Sequence, residues 1–218
     1  MPSTQFGRPV AVTTGSADPD APLVVLLHGR GSDESSILSL VPHLPTGPTY
    51  AAVPAPIVEG GGFAWFANRG IGRPVAESLS ETLTWFTAWL DSVAREGRPV
   101  VLVGFSGGAA FACGLVLSDP RRYAGAAILL GTLPFEAGVP VTAHGLDGTQ
   151  IFVAQGDQDF VIPRDLLDRT WAYLHGESGA VVVSRREAGG HTITQETLAA
   201  LGDWLVTLMD DPSEAPSE

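Results

Sequence analysis

The segment Gly104-Phe105-Ser106-Gly107-Gly108 sets a hydroxyl between glycines, directly after the apolar run Val100–Val103 and directly before a helix-forming stretch, Ala109–Leu117. A strand that enters a helix without a spacer must turn sharply. The residue at the apex takes a strained backbone, the glycines leave room for it, and its side chain stands clear of the sheet. A serine hydroxyl becomes a useful nucleophile only when a base accepts its proton. Candidate partners lie downstream: Asp157 and Asp159 in Gly156-Asp157-Gln158-Asp159, after the run Ile151–Ala154, and His191 in Gly189-Gly190-His191, after the last apolar run. Serine, then acid, then histidine is the order expected when a strand–turn–helix serine is activated in an α/β sheet. The chemistry such a set can do is attack on an acyl carbon. The structural alternative for the serine segment alone is an ordinary glycine-rich turn.

These residues need a frame that brings strand ends together. Leu23–Leu27, Tyr50–Val53, Val100–Val103, Ala126–Leu130, Ile151–Ala154 and Val181–Ser184 are short, nearly continuous apolar runs. Runs of this kind fit strands of a parallel sheet covered on both faces. Between them, Leu79, Leu83, Phe86, Leu90 and Val93 draw one helical stripe, with Pro74 suited to its first turn and Gly97 to its stop. Further helices are predicted from near Pro163 and over Thr194–Met209. Strand–helix alternation predicts a mostly parallel α/β sheet with helices on both faces, whose ligands bind at the carboxyl ends of the strands. The reading is one domain over residues 1–209, followed by an acidic, disordered tail over 210–218.

Composition removes other classes. The 218 residues carry 24 acidic and 12 basic side chains, a formal charge of −12. Such a surface disfavours nucleic acid and anionic membranes as partners. Every basic residue is arginine, so a Walker A lysine and a lysine Schiff base are both excluded. The single cysteine, Cys113, allows no internal disulfide, and the five histidines lack metal-binding spacing, so no metal site is expected, and the serine chemistry above needs no cofactor. With no signal-like N-terminus and no apolar run beyond five residues, a soluble cytoplasmic protein is expected. Oligomeric state is left open.

Four stretches together resemble the phospholipase/carboxylesterase family of α/β-hydrolases, the group that includes acyl-protein thioesterases: Leu27-His28-Gly29-Arg30-Gly31, the Ser106 segment, Gly156–Pro163, and Gly190-His191. The resemblance implies that Asp159, which precedes an apolar pair and a proline, is the acid of a Ser106–Asp159–His191 triad. Asp157 then caps the turn. It also implies an oxyanion hole made by the backbone amides of Gly107 and Arg30, with His28 fixing the loop that carries Arg30. Trp65-Phe66 resembles the family's aromatic pair near the substrate cleft, although Ala67 stands where an acidic residue often follows. The alternative for this pair is core packing.

The activity so implied is hydrolysis of carboxylic esters, or of thioesters, through an acyl-enzyme. The segment Pro134–Gly148 is too short for a separate cap, which points to short- to medium-chain, soluble small-molecule substrates. An acyltransferase or perhydrolase would use the same residues, and a non-catalytic binding protein could keep the scaffold. A dienelactone hydrolase would carry cysteine in place of Ser106. Cys113 is read as a small buried hydrophobe, His43, His144 and His175 as loop or surface residues, and Trp85, Trp89, Trp171 and Trp204 as packing.

Overall fold

The computed structural model describes residues 6–210. Its strands are β1 (Val12–Gly15), β2 (Leu23–Leu27), β3 (Thr49–Val53), β4 (Ile57–Glu59), β5 (Gly62–Ala64), β6 (Asn68–Gly70), β7 (Arg73–Pro74), β8 (Val100–Phe105), β9 (Gly125–Leu129), β10 (Gln150–Gly156) and β11 (Val181–Glu187). The helices are α1 (Glu34–Leu38), α2 (Ala76–Val93), α3 (Gly107–Ser118), α4 (Arg164–Ala172) and α5 (Gln195–Asp210). Seven strands form the main sheet in the order β1-β3-β2-β8-β9-β10-β11, parallel throughout except for β1 against β3.

The apolar runs become strands because both of their faces are covered. Val25 and Leu27 of β2 point into one core with α2, α3 and α4, while Val24 and Leu26 point into the other with α1 and α5. Burying each such side chain contributes roughly 1.5–3 kcal/mol, which outweighs the ~1 kcal/mol span of strand propensity. β11 departs from this pattern. It lies at the sheet's edge, and Val181 and Val183 are 49% and 41% exposed.

The helical stripe is realised in α2, where Leu79, Trp85, Phe86, Trp89 and Leu90 are buried. Leu83 is only half-buried and Val93 is exposed, because the two tryptophans widen and rotate the inward face. Pro74 lies in β7, ahead of the helix, and Gly97 falls beyond Ala94, which caps its end. The fourth helix continues past Ala172 as a π-helical turn, Tyr173–Glu177. Between β9 and β10 the chain crosses Pro134–Gly148 without a helix. Of the acidic tail, Asp210 is the last residue of α5, and residues 211–218 lie outside the described residues.

The strand order reverses between β2 and β8. From β2 the chain moves out to β3, and from β8 it moves the other way to β9. Loops leaving two such neighbours diverge and open a crevice at their carboxyl ends. The loop after β2 is His28–Asp33, and the residue after β8 is Ser106.

Candidate active site

Ser106 has φ 54° and ψ −113°, a left-handed backbone that a side-chain-bearing residue adopts only under constraint. The constraint comes from both sides. Its N–H donates to the Leu129 carbonyl of β9 (2.9 Å), and α3 begins at the next residue. Gly108 lets that helix lie directly on β2: a Cβ there would stand 2.1 Å from the Leu27 carbonyl oxygen.

His191 reaches the serine from the loop between β11 and α5. Its Nε2 lies 2.9 Å from Ser106 Oγ, and its Nδ1 lies 2.8 Å from Asp159 Oδ2. The tautomer that fits carries its proton on Nδ1, donating to the carboxylate, and leaves Nε2 free to accept from the serine. The Phe105 ring packs on the imidazole, with centroids 5.2 Å apart. The Asp159 side chain is fully buried, and its second oxygen accepts the Val161 and Ile162 amides at 2.9 and 3.1 Å. The turn is therefore capped by Asp159 itself. Asp157, expected to do this, is exposed; its backbone N–H donates to the Glu187 carbonyl (2.7 Å), and its carboxylate accepts none of the described hydrogen bonds.

Two backbone amides lie close together beside the serine. A Cβ on Gly107 would fall 3.3 Å from the Arg30 nitrogen, so the two backbones lie side by side. The Gly107 N–H opens α3 and has no intrahelical acceptor. Arg30 N–H donates to nothing among the described residues. The Arg30 loop is held from below by His28, which is 0% exposed. His28 Nδ1–H donates to the Gly29 carbonyl (2.8 Å) and Nε2 accepts the Ala55 amide (3.1 Å), so both ring nitrogens are used. Burial lowers the imidazole pKa from its ordinary 6.5, outweighing the Gly29 hydrogen bond and the nearby Glu34 and Asp33 charges that raise it.

Trp65 and Phe66 are 1% and 3% exposed. Trp65 stacks on Phe111 of α3 (4.6 Å, 18°), and its indole N–H donates to the His28 carbonyl (2.8 Å). That burial matches the core-packing alternative, with Trp65 supporting the loop from behind. Cys113 is buried and its thiol pKa is pushed up by burial. His43, His144 and His175 are exposed. Among the described residues, no group of three or more His, Cys, Asp or Glu side chains could hold a metal ion.

Two carboxylates that the motifs do not single out also bear on the site. Glu187, at the end of β11, accepts from the hydroxyls of Thr194 and Thr197, tying the strand to α5 across the His191 loop. Glu59 pairs with Arg30 through both oxygens. An acid opening a glycine-rich hairpin, with an unexplained arginine on another loop, is the signal that could have linked the second pair.

A phospholipase/carboxylesterase family model matches residues 9–209. The chain belongs to that family. It is an α/β-hydrolase and an enzyme of the carboxylesterase type. MhqD of Bacillus subtilis (strain 168), which bears a provisional hydrolase name, is 24% identical over 187 residues, covering 84% of this chain and 91% of that protein. Among solved structures, the Bacillus cereus carboxylesterase superposes with a TM-score of 0.80 at 22% identity, over 92% of this chain and 94% of its own. A carboxylesterase from Mesorhizobium loti gives 0.75 at 26% identity, over 85% and 88% of the two chains. No helix among the described residues is long and apolar enough to cross a membrane.

Proposed function

We propose that this esterase hydrolyses short- to medium-chain carboxylic esters, thioesters among them, through an acyl-enzyme on Ser106. The observation that carries the reading is the continuous relay Ser106 Oγ–His191 Nε2 (2.9 Å) and His191 Nδ1–Asp159 Oδ2 (2.8 Å) beside two uncommitted amides. The substrate carbonyl lies over Ser106 with its oxygen toward the Gly107 and Arg30 amides. His191 takes the serine proton as Oγ attacks, and Asp159 holds the ring and stabilises the imidazolium. The two amides stabilise the oxyanion; each such donor is worth ~10²–10³ in rate. Collapse expels the alcohol or thiol, protonated by His191. Water, deprotonated by the same histidine, then attacks the acyl carbon and releases the acid.

Chain length is argued from Pro134–Gly148, which joins β9 to β10 without forming a helical cap. An open cleft suits soluble esters. The test is a p-nitrophenyl ester panel of rising chain length, run on wild type and Ser106→Ala, with fluorophosphonate labelling alongside. The expected result is turnover and labelling in wild type, both lost in Ser106→Ala. Labelling that survives the substitution overturns the assignment. Acyl transfer to added alcohol or peroxide in preference to water would replace hydrolysis by the transferase or perhydrolase reading.

A further inference from the structure

The Arg30 amide must hold its place to within a few tenths of an ångström to serve an oxyanion, yet it sits on an exposed loop beside Gly31, whose φ is +74°. Such a peptide needs an outside support. The hairpin β4–β5 supplies one. Gly31 N–H donates to the Phe63 carbonyl (2.8 Å), and Phe63 N–H donates back to the Ser32 carbonyl (2.9 Å). Gly62 permits this approach, since a Cβ there would stand 2.3 Å from the Gly31 carbonyl oxygen. The contact closes over Arg30 itself. Its guanidinium donates to both oxygens of Glu59, at the end of β4, and through Nη1 to the Phe66 carbonyl (3.1 Å).

We infer that Glu59 is a positioning residue: its carboxylate and the Arg30 fork form a clasp that fixes the Arg30 backbone amide toward the oxyanion. This rests on the Ser106 reading above and adds to it a residue that touches no substrate. Exposure separates the role from simple stabilisation. The two side chains are 32% and 39% exposed, and ion pairs that wet add little to folding. A forked arginine–carboxylate pair nevertheless fixes orientation as a lysine or an amide cannot. The clasp therefore acts on rate far more than on stability.

The experiment is a double-mutant cycle on Glu59→Gln and Arg30→Lys, assayed with a neutral p-nitrophenyl ester and a trifluoromethyl ketone, whose adduct carries an oxyanion. Each single variant is expected to lose about tenfold or more in kcat, with KM within about twofold and Tm within about 4 °C of wild type. Ketone affinity falls in step with kcat/KM. The double variant is no worse than the poorer single one, because the two changes break one contact. Full kcat and ketone affinity in Glu59→Gln, or losses that multiply in the double variant, overturn the clasp. Absence of Ser106 labelling by a fluorophosphonate in wild type would instead overturn the nucleophile, so the two failures are distinct.

Discussion

Replacing Asp159 with asparagine keeps the shape of the group that orients His191 and removes its charge. In the proposed mechanism the amide favours the wrong imidazole tautomer and leaves the imidazolium unsupported, so kcat for a p-nitrophenyl ester is expected to fall ~10⁴-fold. Asp157→Asn alters an exposed side chain and is expected to retain most activity. A parallel loss in both variants would refute this division. Only the resemblance separated the two aspartates in the sequence, since both follow the same strand; hydrogen bonding separates them in space. His28 gives a prediction of a different kind. Its folded pKa lies below the ordinary 6.5 because its ring is buried. Between those two values the unfolded chain binds a proton that the folded one refuses. Its contribution is therefore whole above pH 6.5 and is lost as pH falls through the lowered folded pKa. NMR titration should find the midpoint of the His28 ring below 6.5, and a ring that titrates at 6.5 or above would contradict the burial argument.

The elements readable in the sequence were those whose burial is two-sided or strictly periodic. The runs Leu23–Leu27 and Val100–Val103 are strands of the sheet's centre, and their apolar composition reflects helices on both faces. The short strand β1 is exposed along its whole length and leaves no apolar pattern to read. The hairpins β4–β5 and β6–β7 escape for another reason: each pairs within itself, and where β4–β5 meets the Arg30 loop it is Gly62, not a hydrophobe, that permits the contact. Hence the ends of the strands, where Ser106, Asp159 and His191 sit, were legible, while the support around Arg30 was not. The elbow also yields an element-scale expectation. Gly108→Ala drives a methyl toward the Leu27 carbonyl and must push α3 off β2. Overpacking of this sort costs roughly 1–3 kcal/mol, or a Tm about 2–4 °C lower for each kcal/mol at this chain length. An unchanged Tm would mean that the helix and strand separate more easily than their packing implies.

At the scale of the molecule, the formal charge of −12 acts on whatever approaches the cleft. Asp33 and Asp157 lie exposed on loops that leave strand carboxyl ends, and Arg30 is already paired with Glu59. An ester bearing a carboxylate therefore meets repulsion that a neutral ester of the same size does not. Screening weakens it, since the Debye length shrinks from about 30 Å at 0.01 M salt to about 8 Å at 0.15 M. Raising salt over that range should lift kcat/KM severalfold for a hemisuccinate ester relative to its neutral methyl-capped analogue. An equal response from both would place the net charge out of reach of the cleft.

The positive φ of Ser106 carries one more implication. A left-handed backbone disfavours any residue with a Cβ, so the fold tolerates conformational energy at the one position where the hydroxyl must protrude. Glycine there would relax the turn. Ser106→Gly is expected to be inert toward esters yet to melt higher than Ser106→Ala, making the proposed seat of the reaction a place where the molecule trades durability for chemistry.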